Sequence, residues 1–201
     1  MSPLFDFELT PVASIAPWGP PEAPRLDWFA LTHGRFRIAA CGRTLLDDTY
    51  QVAAFARDLL ATVRAAIAPL PPFVEQLARD WSALAALDAA APDDYDAWRW
   101  LGERSPWFSY LASPPRLSFV RIGDAIRVAD DCSLPLETFV AECRSLRDRL
   151  LAAMEPRLTS DTLRAQHAEW QREFDAYFAG EYEPDVPWSV AEAALRAISA
   201  S

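Results

Sequence analysis

Apolar and acidic residues alternate through Phe5-Asp6-Phe7-Glu8-Leu9, the period-two pattern of a half-buried strand, and Pro11 ends it. The run from Pro17-Trp18-Gly19-Pro20-Pro21 to Pro24 suits neither a helix nor a central strand, because proline lacks the N–H and fixes φ. It reads as an ordered loop pinned by Trp18. Over Leu26–Ala39 the alternation returns, and a two-residue turn at His33-Gly34 predicts a hairpin. In that register Phe29, Leu31, Phe36 and Ile38 share one face, while Trp28, Ala30, Thr32, Arg35, Arg37 and Ala39 share the other.

The period then changes to three and four. Asp47-Asp48-Thr49 reads as an N-cap for a helix striped by Val52, Phe55, Ala56, Leu59, Leu60, Val63 and Ile67, ending before Pro69. Val74, Leu77, Trp81, Leu84 and Leu87 predict a second helix closed by Pro92, and Asp93-Asp94 cap a short third. Beyond the aromatic loop Ser105–Tyr110, a second hairpin turns at Gly123-Asp124 and gathers Leu117, Phe119, Ile126 and Val128 on one face. Val120 and Ile122 lie on its other face, so the pair is expected to be covered on both sides. Pro135 opens a long amphipathic helix through Met154. Thr159 or Ser160 caps the next, with Leu163, His167, Trp170 and Phe174 in its stripe, and Trp188 to Ile198 form the last. The chain is expected to be one α+β domain over residues 1–201. It would pack a small antiparallel sheet, built from the N-terminal strand and the two hairpins, against about six helices.

Composition changes this picture in three ways. Among the 201 residues there is no lysine or asparagine, so arginine is the only strong cation and its presence says little about phosphate binding. The net charge of −10 argues against nucleic acid and anionic lipid and favours a basic partner. Three cysteines without C-x-x-C spacing are read as reduced thiols. The acidic N-terminus does not read as a signal peptide, and no apolar run approaches the roughly 18 residues of a membrane span. The expected location is the cytoplasm.

Candidate chemistry is sparse. G-x-S-x-G is absent, and neither histidine stands in a nucleophile context. His33 reads first as a turn residue, and His167 as a core histidine on an apolar stripe. The carboxylate clusters precede predicted helices and read as caps, so no metal site and no cofactor is expected. Only six glycines are present, and none forms a phosphate-cradling loop. The open candidates for binding are Trp28, Arg35, Arg37 and His33 on the first hairpin, and Glu181, Glu183 and Asp185 in the acidic connector. No catalytic residue is assigned.

The run Phe7-Glu8-Leu9-Thr10-Pro11, then Ile15, Pro17-Trp18-Gly19 and Leu26-x-Trp28-Phe29-x-Leu31-Thr32-x-Gly34, resembles an uncharacterised bacterial family, a domain of unknown function. Tyr110-Leu111, Pro115, Gly123-Asp124, Phe139 and Met154-x-x-Arg157 continue the resemblance along most of the chain, which departs from the pattern at Arg35-Phe36-Arg37. The resemblance implies no activity and no catalytic residue. By analogy with small acidic immunity proteins, the leading expectation is a non-catalytic protein that binds and neutralises a bacterial toxin through a basic domain of that toxin. The alternatives are a small cytosolic enzyme with an Arg/carboxylate site on the first hairpin, and a regulatory or scaffold subunit.

Overall fold

Cys41 and Gly42 have φ of +50° and +74°, the paired left-handed conformation of a type I′ turn, and they close the first hairpin. In the structure, a computed structural model describing residues 3–18, 20, 22, 25–129 and 131–200, strand β2 spans His33–Ala40 and β3 Arg43–Gln51. The hairpin expected to turn at His33-Gly34 therefore turns eight residues later, and its first predicted strand is not a strand. Local hydrogen bonds explain the difference. Asp27 Oδ1 accepts from the Ala30 amide at 2.8 Å, and the Thr32 hydroxyl donates to the Phe29 carbonyl at 2.7 Å. These side chains hold Ala30–Thr32 in a 3-10 turn instead of a ladder.

Gly34 has a different task from the one its position suggested. Strand β1, Phe5–Leu9, pairs antiparallel with β2 and sets Leu9 against Gly34. A Cβ at Gly34 would lie 2.2 Å from the Glu8 carbonyl oxygen, so the residue is small because two backbones meet there. The sheet order is β1-β2-β3, with a bulge that sets Ala39 against Thr44 and leaves Leu45 over. The expected alternation in β2 holds: Phe36 and Ile38 are buried, while Arg35 and Arg37 belong to the more open face.

Asp47-Asp48-Thr49 lies within β3 and caps no helix. Helix α1, Val52–Ala61, follows the strand directly, and its Ala53 amide donates to Thr32 Oγ1 at 3.2 Å, a cap supplied from a distant turn. Helices α2 (Val63–Ile67), α3 (Pro72–Arg79), α4 (Trp81–Ala90) and α5 (Tyr95–Gly102) follow. The expected second helix is divided at Asp80, whose carboxylate caps α4 by accepting from the Ala83 amide at 3.0 Å. Asp94 caps α5 as expected.

The second hairpin turns at Gly123-Asp124, between β4 (Val120–Ile122) and β5 (Ala125–Ala129). Strand β6, Cys132–Pro135, completes a separate sheet of order β4-β5-β6, so the strands divide between two sheets where a single sheet was expected. Helices α6 (Leu136–Met154), α7 (Asp161–Ala176) and α8 (Trp188–Ser199) complete an α+β architecture, and Ser160 caps α7.

The chain passes back and forth between two compact units. The first comprises Met1–Ala61, Trp107–Pro115 and Val140–Ala179; the second comprises Thr62–Pro106, Arg116–Phe139 and Gly180–Ser201. In the first, Phe36 stacks on Phe55 at 4.4 Å between centroids, and α1 is buried on nearly every side. In the second, Val74, Leu84, Trp98, Trp100, Val120 and Leu195 belong to one core cluster, with Ile122 packed against it. Leu117, Phe119, Ile126 and Val128 are buried too, so the second hairpin is covered on both faces.

Cys41 and Cys132 are each in a disulfide, which corrects the expectation of three reduced thiols. Cys143 is a free buried thiol, and burial pushes its pKa well above the usual value. Among the described residues, no helix is long and apolar enough to cross a membrane.

Candidate functional site

The open face of the first sheet is saturated with its own ion pairs. Arg35 donates through Nε to Asp47 Oδ1 at 2.6 Å and through Nη2 to Oδ2, while Arg37 Nη2 reaches Asp6 Oδ2 at 3.2 Å. Hydrogen bonding to Arg35 holds the Asp47 carboxyl below the usual carboxylate range and raises the guanidinium in turn. Asp6, Phe7, Glu8, Arg35, Phe36 and Arg37 line only a small surface depression of about 200 Å³. Two cations each held by a carboxylate on such a face are cross-strand pairs of modest worth.

Trp28 is not on that face. It is fully buried, its ring stacks on Trp170 at 5.0 Å, and its indole N–H donates to His167 Nδ1 at 3.0 Å. Because Nδ1 accepts, the proton of neutral His167 sits on Nε2, which faces Glu155 Oε1 at 3.4 Å. His167 is thus the satisfied core histidine that its stripe suggested. In the second unit, Asp185 accepts from Arg99 at 2.8 Å and its amide donates to Glu103 Oε1 at 3.1 Å, which fastens the acidic connector to α5. Glu181 and Glu183 are exposed.

His33 leads to a different surface. It lines a cavity of about 550 Å³ in the first unit together with Ile15, Ala16, Trp18, Phe29, Tyr50 and Gln51. That volume is within the usual range of ligand pockets, and the lining combines aromatic and aliphatic groups with a few polar ones. Trp18 is 56 % exposed, so it is not anchored by burial. Reciprocal backbone hydrogen bonds with Arg25, of 3.0 and 2.8 Å, hold it instead.

The wall behind His33 is built with care. Thr10 Oγ1 lies 3.0 Å from His33 Nδ1, and the Thr10 amide donates to the His33 carbonyl at 2.9 Å. Arg157 joins the two segments that carry these groups, donating through Nη1 to the Leu31 carbonyl at 2.7 Å and through Nη2 to the Thr10 carbonyl at 2.9 Å. Arg157 is a positioning residue for the cavity wall, and burial draws its pKa down. Tyr50 stacks on Tyr110 at 4.8 Å, and Gln51 Oε1 is buried without a donor among the described residues.

In the same unit, burial pushes the Asp58 carboxyl up to about 6, with Arg57 3.7 Å away acting in the opposite sense. Tyr110 and Tyr177 are both pushed up, chiefly by burial, with the Asp58 charge adding to it at Tyr110 and the hydrogen bond to Glu173 at Tyr177. Asp58, Tyr50 and Gln51 escaped the sequence reading, while Tyr110 and Arg157 entered it as positions of the resemblance. His33 is the sequence candidate that belongs to this cavity, and the ordered loop expected over residues 17–24 lies partly outside the described residues.

The segments that build this wall coincide with the motifs of the resemblance, and a family model matches residues 4–194. The chain belongs to the family of unknown function DUF5984. No curated protein and no solved structure matches it. Within this member of DUF5984, Thr10, Leu31, Gly34 and Arg157 have structural duties: a carbonyl clasp and a close backbone contact.

Proposed function

We propose that the protein is a non-catalytic binding protein that receives an apolar side chain of a protein partner in the cavity of its first unit. More specifically, it would act as an immunity protein that binds and neutralises a bacterial toxin. The observation that carries the reading is the cavity of about 550 Å³ with Trp18 exposed at its rim. An exposed tryptophan beside an apolar recess has the make-up of an interface anchor. The net charge of −10 would speed encounter with a basic partner. The enzyme reading on Arg35, Arg37 and His33 receives less support, because both guanidinium groups are held by carboxylates over a small depression. A regulatory or scaffold role would use the same cavity with a different partner.

The test is rescue of growth when the chain is co-expressed with the product of the neighbouring gene. Wild type and Arg35→Ala should rescue, whereas Trp18→Ala should not. Equal rescue by Trp18→Ala would move the contact elsewhere, and failure of wild type would remove the toxin partner. The cytoplasmic location that accompanies this reading is tested separately, because disulfide-bonded Cys41 and Cys132 suit an oxidising compartment or a transient redox state.

A further inference from the structure

Arg104, just beyond the end of α5, is 0 % exposed. Its Nη1 donates to the Trp100 carbonyl at 2.7 Å and to the Tyr182 hydroxyl at 3.2 Å. Nε and Nη2 have no acceptor among the described residues, and neither does the buried Nε1 of Trp100. Nε–H and the outer N–H of Nη2 form the parallel side-on fork of a guanidinium, the edge that takes two oxygens of one oxyanion.

The rings of Trp100, Tyr182 and Trp188 lie 5.6, 4.9 and 5.4 Å from the guanidinium carbon. Ring faces compensate part of the charge but accept no hydrogen bond along the fork. Glu103, the adjacent carboxylate, is already engaged by the Tyr182 hydroxyl, the Asp185 amide and Arg99. Burial draws the Arg104 pKa down, the expected cost of a cation without a counter-ion at its open edge.

We propose that Arg104 and Trp100 form an internal binding site in the second unit for a small oxyanion, two oxygens on the Arg104 fork and one accepting from Trp100 Nε1. Formate or acetate and inorganic phosphate or sulfate share the required chemistry, and the test separates them. Water could fill the three donors but would leave the open edge of the guanidinium without a counter-charge. Tyr182 and Trp188, whose rings lie against the guanidinium, belong to a segment fastened by the Arg99–Asp185 pair. That pair is exposed and therefore a weak latch.

Thermal unfolding of the whole chain in formate, acetate, phosphate or sulfate, against chloride at matched ionic strength, tests the proposal. One class should raise Tm along a saturating curve of the mass-action form. Trp100→Phe keeps an aromatic face and the Arg104 charge but removes one donor, so its saturation midpoint should shift by about tenfold. Arg104→Lys should abolish saturation, and Asp185→Ala should retain it. The Arg104 Nε–H resonance should move with the same midpoint. A rise that is linear in salt, an unmoved Arg104 resonance, or an unchanged midpoint in Trp100→Phe would overturn the assignment. Because Trp100→Phe leaves Arg104 intact, the test stands even where Arg104→Lys fails to fold.

Discussion

At the scale of single residues, the polar groups that matter most are those burial has set at odds with their ordinary chemistry. Asp58, with its carboxyl pushed up to about 6, is the clearest. Since the folded chain holds this proton more tightly than the unfolded chain, the contribution of Asp58 to stability falls as pH rises from about 4 to about 6. Asp58→Asn should remove that slope and raise the unfolding free energy at neutral pH by on the order of 1 kcal/mol, read from unfolding curves across the window. An unchanged slope would show the carboxyl to be solvated. Trp28→Phe should cost about 1–3 kcal/mol in denaturant unfolding, because it leaves His167 Nδ1 buried without its donor. The core role of His167 was legible from its place on an apolar stripe. Trp28 was not, because period-two reasoning put it on a strand, whereas Asp27 and Thr32 had already claimed the neighbouring backbone.

At the scale of elements, the first hairpin separates what pattern can tell from what it cannot. The alternation from Phe36 to Ile38 identified a strand and its buried face. It could not identify the partner strand, because Leu26–Thr32 offers a similar alternation and His33-Gly34 a more familiar turn than Cys41-Gly42. Two glycine substitutions discriminate the pairings. Gly42→Ala, at φ +74° in open space, should cost about 1 kcal/mol. Gly34→Ala drives a Cβ against the Glu8 carbonyl and should destabilise by several times as much, with loss of hydrogen-exchange protection along β1. Equal, small effects at both positions would be incompatible with the β1–β2 contact. Helix ends were more legible, as at Asp94 and Ser160, because a capping side chain acts within three residues of itself. The cap on α1 comes from Thr32, twenty-one positions away, and no local pattern could have announced it.

At the scale of the whole molecule, the α+β class followed from apolar periodicities, while the division of strands between two sheets depended on long-range pairing. Each unit carries its own unsatisfied chemistry: the cavity around Trp18 and Tyr50 in the first, and the open fork of Arg104 in the second. Neither could be read from the sequence, since both arise where distant segments meet. The cysteines yield a prediction at this scale. Denatured, unreduced protein should expose one reactive thiol per chain, rising to three after reduction, whereas three without reductant would mean that Cys41 and Cys132 are reduced in the purified chain.

The central claim, that the first-unit cavity binds an apolar partner group, is tested most directly by NMR titration with 3-methylindole, an analogue of a partner's aromatic side chain. The account predicts saturable shifts at the Trp18 indole, His33, Tyr50 and Gln51, weakened in Trp18→Ala. Shifts that never saturate, or that cluster away from these residues, would contradict it.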